Sequence, residues 1–175
     1  MNNKTWKSLA AVAAGVVLAL LFGRGPAARA DNWDSAEKGL DGTWTVTVTL
    51  QNCQTGATIG APFSSYLSFA RGGTMTESTS NPGFAVGQRG TGLGIWSHRE
   101  HRSYSVKSTA FLFFTTPPNP PANPGFEAGT QTISQVISLD EDSDSWTSNA
   151  AITFADTTGT IYRQGCAVAT AQRYE

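Results

Sequence analysis

Once a leader described below is set aside, residues 31–175 of the 175-residue chain carry eight basic against 13 acidic side chains, a net charge of −5. A chain of that sign with no polybasic run lacks the electrostatic footprint of a nucleic-acid binder and of a basic membrane patch. Its 145 residues suit one domain with one core, and Ser and Thr supply 36 of them, which with many Gly favours sheet over helix.

Met1–Lys7 holds two lysines and no acid, and Ser8–Gly23 is uncharged and dominated by Ala, Val and Leu. Gly25-Pro26 breaks any helix, and Ala28-Arg29-Ala30 supplies small residues flanking a cleavage point. This order predicts an export signal over 1–30, removed before Asp31, and a single exported domain over 31–175 in the periplasm or outside the cell. The apolar run is shorter than the roughly 20 residues of a spanning helix, and no Cys follows the cut, so no membrane anchor is expected.

Asn32–Leu40 has the pattern of a short helix, with Trp33 as a plug residue. Beyond it, alternation with period two dominates. Thr43–Leu50 puts threonines on one face and Trp44, Val46, Val48 and Leu50 on the other. Seven more strands are predicted at Ser64–Arg71, Thr74–Ser80, Gly92–Arg99, Arg102–Thr116, Thr130–Leu139, Ser145–Ala155 and Thr160–Arg173. Eight consecutive antiparallel strands with short links predict an all-β, up-and-down barrel, which leaves no exposed sheet edge. The connections Gln51–Phe63, Asn81–Thr91 and Pro117–Gly129 are long and fall at one end with Asp156–Gly159. Gly72-Gly73, Glu100-His101 and Asp140–Asp144 are short and fall at the other. The expectation is a cup with an elaborated mouth and a closed base.

Cys53 and Cys166 are the only cysteines, and in an oxidising compartment two thiols usually pair. If Cys53 stands directly opposite Cys166, Val46 stands opposite Arg173. Ile161, Arg163, Gly165, Ala167, Ala169 and Ala171 then share the inner face with Trp44, and the bridge falls on the outer face near the mouth.

Gly42-Thr43-Trp44 opening the first strand, and Arg173 ending the last beside it, resemble the lipocalin and wider calycin barrels. The glycine-threonine-tryptophan start and the Thr, Ser and Trp richness are also similar to avidin-type barrels. The resemblance implies a tryptophan sealing the base with an arginine packed over its ring, a contact with a sound electrostatic basis.

Strand parity places Met75, Glu77, Tyr104, Val106, Leu112, Phe114, Ile133, Gln135, Ile137, Trp146, Ile152 and Phe154 on the inner face. An apolar pocket with a few fixed polar groups is the usual make-up of a small-molecule site. Glu77 and Arg163 are the expected polar handles, with Tyr104 and Gln135 next and Met75, Leu112, Phe114, Ile152 and Phe154 as apolar lining. The alternative is a filled core in which Glu77 and Arg163 pair structurally or face outward.

Other constellations are weaker. His98, Glu100 and His101 straddle a tight turn and lack the further ligands of a metal centre. Asp140, Asp142 and Asp144 imitate half a calcium loop, but Ser145 and Ala151 stand where Gly and Glu belong. Gly90–Gly94 lacks the strand-before, helix-after setting of a nucleotide loop and reads as a flexible mouth segment. No nucleophile motif occurs, and no cofactor or metal is expected. The function expected is an exported protein binding a small apolar molecule, with no nucleic-acid partner. The alternatives are an isomerase or cyclase resembling allene oxide cyclase, using Glu77, Tyr104 and Arg163, and a secreted inhibitor whose mouth loops, including Pro117–Pro124, grip a protein partner.

Overall fold

A computed structural model describes residues 39–114 and 127–174. The expected leader, the plug residue Trp33 with nearly all of its helix, and the proline segment 117–124 lie outside the described residues. The rest forms eight strands: β1 (Gly42–Gln51), β2 (Thr58–Ala70), β3 (Thr74–Thr79), β4 (Gly92–His98), β5 (Ser103–Phe113), β6 (Glu127–Leu139), β7 (Ser145–Ala155) and β8 (Ile161–Arg173). Each is antiparallel to its sequence neighbour, and β8 returns to β1, so the sheet is a closed barrel. Period-two patterning dictates this: Trp44 and Val46 are buried while Thr43, Thr45 and Thr47 face outward.

The β1–β8 register differs from the expected one by two residues. Trp44 pairs with Arg173 and Val46 with Ala171, and the ladder ends at Gln51 opposite Cys166. Cys53 lies beyond the ladder, in the turn after β1, and bridges back to Cys166 with the two Cα atoms 5.3 Å apart. The bridge therefore flanks the ladder instead of crossing it. A shift of two preserves parity, so Ala167, Ala169 and Ala171 are inward and buried as expected. Their small size leaves room across the barrel: Ala171 lies between Val46 and Trp146 in the ladders.

The base is a packed aromatic plug. Leu40, Trp44, Val46, Phe69, Met75, Tyr104, Val106, Ile137, Leu139 and Trp146 form one buried cluster, against which Trp96 packs. The rings of Trp44 and Trp146 are 6.0 Å apart, and the Trp44 indole donates to the Leu40 carbonyl at 2.9 Å. Trp96 bridges Phe69 and Tyr104 and donates to the Ala70 and Thr74 carbonyls. Arg173 gathers the chain around this plug. It donates to the carbonyls of Asp41, Gly39 and Ser143 and to the Asp144 carboxylate. Gly42 has φ +120°, and a Cβ there would stand 2.9 Å from the Arg173 guanidinium, so no larger residue fits before Thr43-Trp44.

Two expectations at the other end need correction. Gln51–Phe63 is not a long loop: β2 begins at Thr58, and 52–57 is a tight turn in which Asn52 accepts from Gln54 and Thr55. Gly60 at φ +70° and Pro62 sit where the β1–β2 register shifts between Val48 and Leu50, so residues that punctuate a loop here form a bulge within a paired strand. Of the long connections expected at the mouth, 80–91 is the one that lies wholly among the described residues. Nor is Gly90–Gly94 a flexible segment. Gly92 and Gly94 belong to β4, and a Cβ at Gly94 would lie 2.1 Å from the Lys107 carbonyl oxygen. These glycines permit close strand approach. Gly129 likewise belongs to β6, at φ +133° with the Ala155 carbonyl against it.

A polar latch and a pocket at the barrel mouth

Above the aromatic plug, the inner face turns polar. Ser65, Glu77, Ser108, Gln131 and Ser148 are buried there, joined by Gln135, which accepts from the Ser148 hydroxyl at 3.0 Å. Glu77 is the inward acid that parity predicted, at 6% exposure. Its partner is Arg89, not Arg163. The Arg89 guanidinium donates to both Glu77 carboxylate oxygens at 3.0 Å, and through Nε to the Gln131 side-chain oxygen. Ser108 donates to the same carboxylate at 3.3 Å. With side-chain exposures of 4% and 7%, the pair is withdrawn from water and its charges satisfy each other.

Arg89 reaches this position because the end of the 80–91 connection lies along β5. Gly90 donates to the Phe111 carbonyl, Phe113 donates to the Gln88 carbonyl, and Arg89 bridges to Leu112. The strap thus covers the upper end of β5 and turns one long side chain inward. Loop arginines carry no strand parity, so nothing periodic in the sequence marks this residue. Ser108 and Gln131 were not among the expected site residues, although both lie at inward parity on β5 and β6, a signal that could have found them.

Between latch and plug wall runs a narrow cavity of about 60 Å³, lined by Val46, Val48, Leu67, Ile133, Ile152 and Ala169 with Glu77, Gln131 and Gln135 as polar points. It meets a wider mouth pocket of about 400 Å³ through the shared residues Leu50, Asn81, Gln131 and Ile152. The mouth pocket is walled by Ile59, Phe84 and Phe154 on its apolar side and by Asn52, Gln54 and Gln164 on its polar side, with Arg163 at the rim. The expected cup with a closed base is therefore a filled base, a slender channel and an open vestibule.

The expected site residues divide accordingly. Glu77, Gln135 and Ile152 line the cavity, while Ile152, Phe154 and Arg163 line the mouth pocket. Met75 and Tyr104 are instead part of the solid base, Tyr104 against the rings of Trp96 and His98. Leu112 is buried beneath the strap. Phe114 lies just past the end of β5 and is 45% exposed, because β5 stops at Phe113 and not at Thr116. Arg163 does not face the interior. β8 runs past its ladder with β1 there but still pairs with β7, Arg163 opposite Phe154, and the exposed guanidinium lies 5.1 Å from the centre of that ring at the rim.

The remaining constellations have structural duties. His98 bonds through Nε2 to the His101 carbonyl at 2.6 Å, with His101 in the left-handed region, which fastens the β4–β5 turn. In the acidic turn, Asp142 accepts from the Asp144 amide and Asp140 from the Ser145 hydroxyl, while Arg102 holds the Asp140 carbonyl. Among the described residues no group of three His, Cys, Asp or Glu side chains converges as metal ligands would. Hydrogen bonds from the Thr158 hydroxyl and the Thr160 and Thr158 amides hold the Asp156 carboxyl below its ordinary value in the β7–β8 turn. No family model, curated protein or solved structure matches the chain.

Proposed function

We propose that the chain is an exported binding protein that holds a small, largely apolar molecule in the mouth pocket, with one apolar end reaching into the channel. The observation that carries this reading is the vestibule of about 400 Å³ opening onto a channel of aliphatic side chains. Its size falls within the roughly 300–1,000 Å³ of small-molecule sites, which the channel alone does not reach. The Cys53–Cys166 bridge supports export, since such bonds persist in oxidising compartments. Barrel closure with Arg173 stacked over Trp44 supports kinship in architecture with the calycin barrels. A cyclase-type reaction is disfavoured, because both oxygens of its candidate acid, Glu77, are engaged by Arg89.

The test uses N-phenyl-1-naphthylamine, a neutral apolar fluorophore, as probe. Gly165 lines the vestibule, and the nearest atom a Cβ there would meet is 4.0 Å away, so a side chain can start there in ordinary contact and extend into the pocket. The wild-type chain should give saturable, one-site fluorescence enhancement. Gly165→Phe should weaken it at least ten-fold at an unchanged thermal midpoint. Absence of saturable enhancement, or equal affinity in Gly165→Phe, refutes the reading.

A further inference from the structure

Resting on that pocket assignment, we infer that the ligand is amphipathic and anionic: a carboxylate or comparable acidic head group seated on Arg163, with its apolar body over Phe154 and its tail toward Ile152.

Three observations converge on this. First, Arg163 is a cation with no carboxylate among the described residues. Arg71 is paired with Asp41, Arg89 with Glu77 and Arg173 with Asp144, whereas Arg163, like Arg99 and Lys107 elsewhere on the barrel, has no ion pair among the described residues, and alone of these three it lines the vestibule, against the Phe154 ring. Second, no Asp or Glu among the described residues lines the vestibule; its polar wall is built from the neutral amides of Asn52, Gln54, Asn81, Gln131 and Gln164. In a chain with more acidic than basic residues, an acid-free wall beside an unpaired guanidinium is a local reversal of charge. The nearby Asp156 carboxylate is committed to its own turn through Thr158 and Thr160. Glu77, the buried acid of the inner face among the described residues, is neutralised by Arg89. Third, the Arg163 guanidinium carbon lies 5.1 Å from the centre of the Phe154 ring, and no carboxylate among the described residues occupies its N–H groups. A planar fork with free N–H edges beside an apolar ring suits bidentate recognition of a carboxylate. The aromatic group beside the cation, with Phe84 6.4 Å beyond it, also supplies the apolar floor. A neutral apolar ligand leaves Arg163 without an anion, and a cationic one faces repulsion at the rim.

The experiment titrates the full chain by calorimetry with octanoate, octan-1-ol and octyltrimethylammonium, three probes sharing one tail. Octanoate should bind at least ten-fold tighter than octanol at low ionic strength, and the ammonium weakest. Arg163→Gln should bring octanoate to parity with octanol, and 0.5 M salt should narrow the wild-type gap. Arg163→Lys should keep a reduced preference, having charge without the fork. If all three bind equally, and Gly165→Phe still blocks them, the head-group assignment fails and the pocket stands. If Arg163→Gln preserves the preference for octanoate, the anion sits elsewhere and the assignment also fails. Failure of all three to bind removes the pocket reading and the head group with it.

Discussion

The guanidinium carbon of Arg173 lies 4.3 Å from the centre of the Trp44 ring, and the two residues are directly paired across the β1–β8 seam. Last strand and first strand are thereby joined by a cation–π contact as well as a ladder. Trp44 has no exposed surface, so Trp44→Ala should cost about 3–5 kcal/mol, as other large core truncations do. Arg173→Lys keeps the charge and loses the fork that serves Asp41, Gly39 and Ser143 together, so it too should destabilise. Urea denaturation followed by tryptophan fluorescence measures both. An unchanged midpoint in either variant removes the base from the list of stabilising features.

The bridge closes a loop with a sequence separation of 113 residues. Chain-entropy reasoning gives such a crosslink roughly 4–5 kcal/mol, acting through the unfolded state. Unreduced protein should titrate no free thiol, and the Cys53→Ser/Cys166→Ser double variant should unfold at a clearly lower denaturant concentration. Two reactive thiols in oxidised, folded protein contradict the pairing.

Much of the barrel was legible before any coordinates, because period-two patterning is a local signal that survives without knowledge of partners. Strand order and parity follow from it, while the Cys53–Cys166 pairing follows from there being only two cysteines in a chain read as exported. The misread parts have physical causes. Gly60, Pro62 and Gly129 look like loop punctuation but serve as bulges inside paired strands, which parity counting cannot anticipate. Met75 and Tyr104 were placed on the correct face but at the wrong height, since alternation tells in from out and not base from mouth. Arg89 left no trace, because the strap that delivers it is aperiodic.

The Glu77–Arg89 pair predicts strongly non-additive costs for single and double replacement. Glu77→Leu or Arg89→Met alone leaves one buried charge uncompensated and should cost about 3–5 kcal/mol. Glu77→Leu combined with Arg89→Met removes both charges at similar volume, and should cost less than either single change. A double-mutant cycle in equilibrium unfolding reads the coupling directly. Additive costs would mean that the two side chains act independently despite their 3.0 Å contact.

A matched pair of glycines separates close approach from mere flexibility. Gly94→Ala puts a methyl 2.1 Å from the Lys107 oxygen, and should destabilise by about 1–3 kcal/mol as overpacking does. Gly165→Ala meets only ordinary contact and should stay within about 0.5 kcal/mol of the parent. Thermal unfolding of both variants checks the difference. Equal midpoints would restore the view of Gly90–Gly94 as a slack segment.

The bridge from Cys53 to Cys166 also makes a covalent ring of nearly everything between them, including all connections from β2 to β8. A protease that severs the 80–91 strap, or the 114–126 connection, opens that ring without dividing the molecule. The two pieces stay tethered by sulfur, and each is still laddered to its neighbours along full-length strands. Nicked protein should therefore migrate as one species until a reductant is added, then as two. Cleavage of a connection is in this way kept apart from dissociation of the chain into separate pieces.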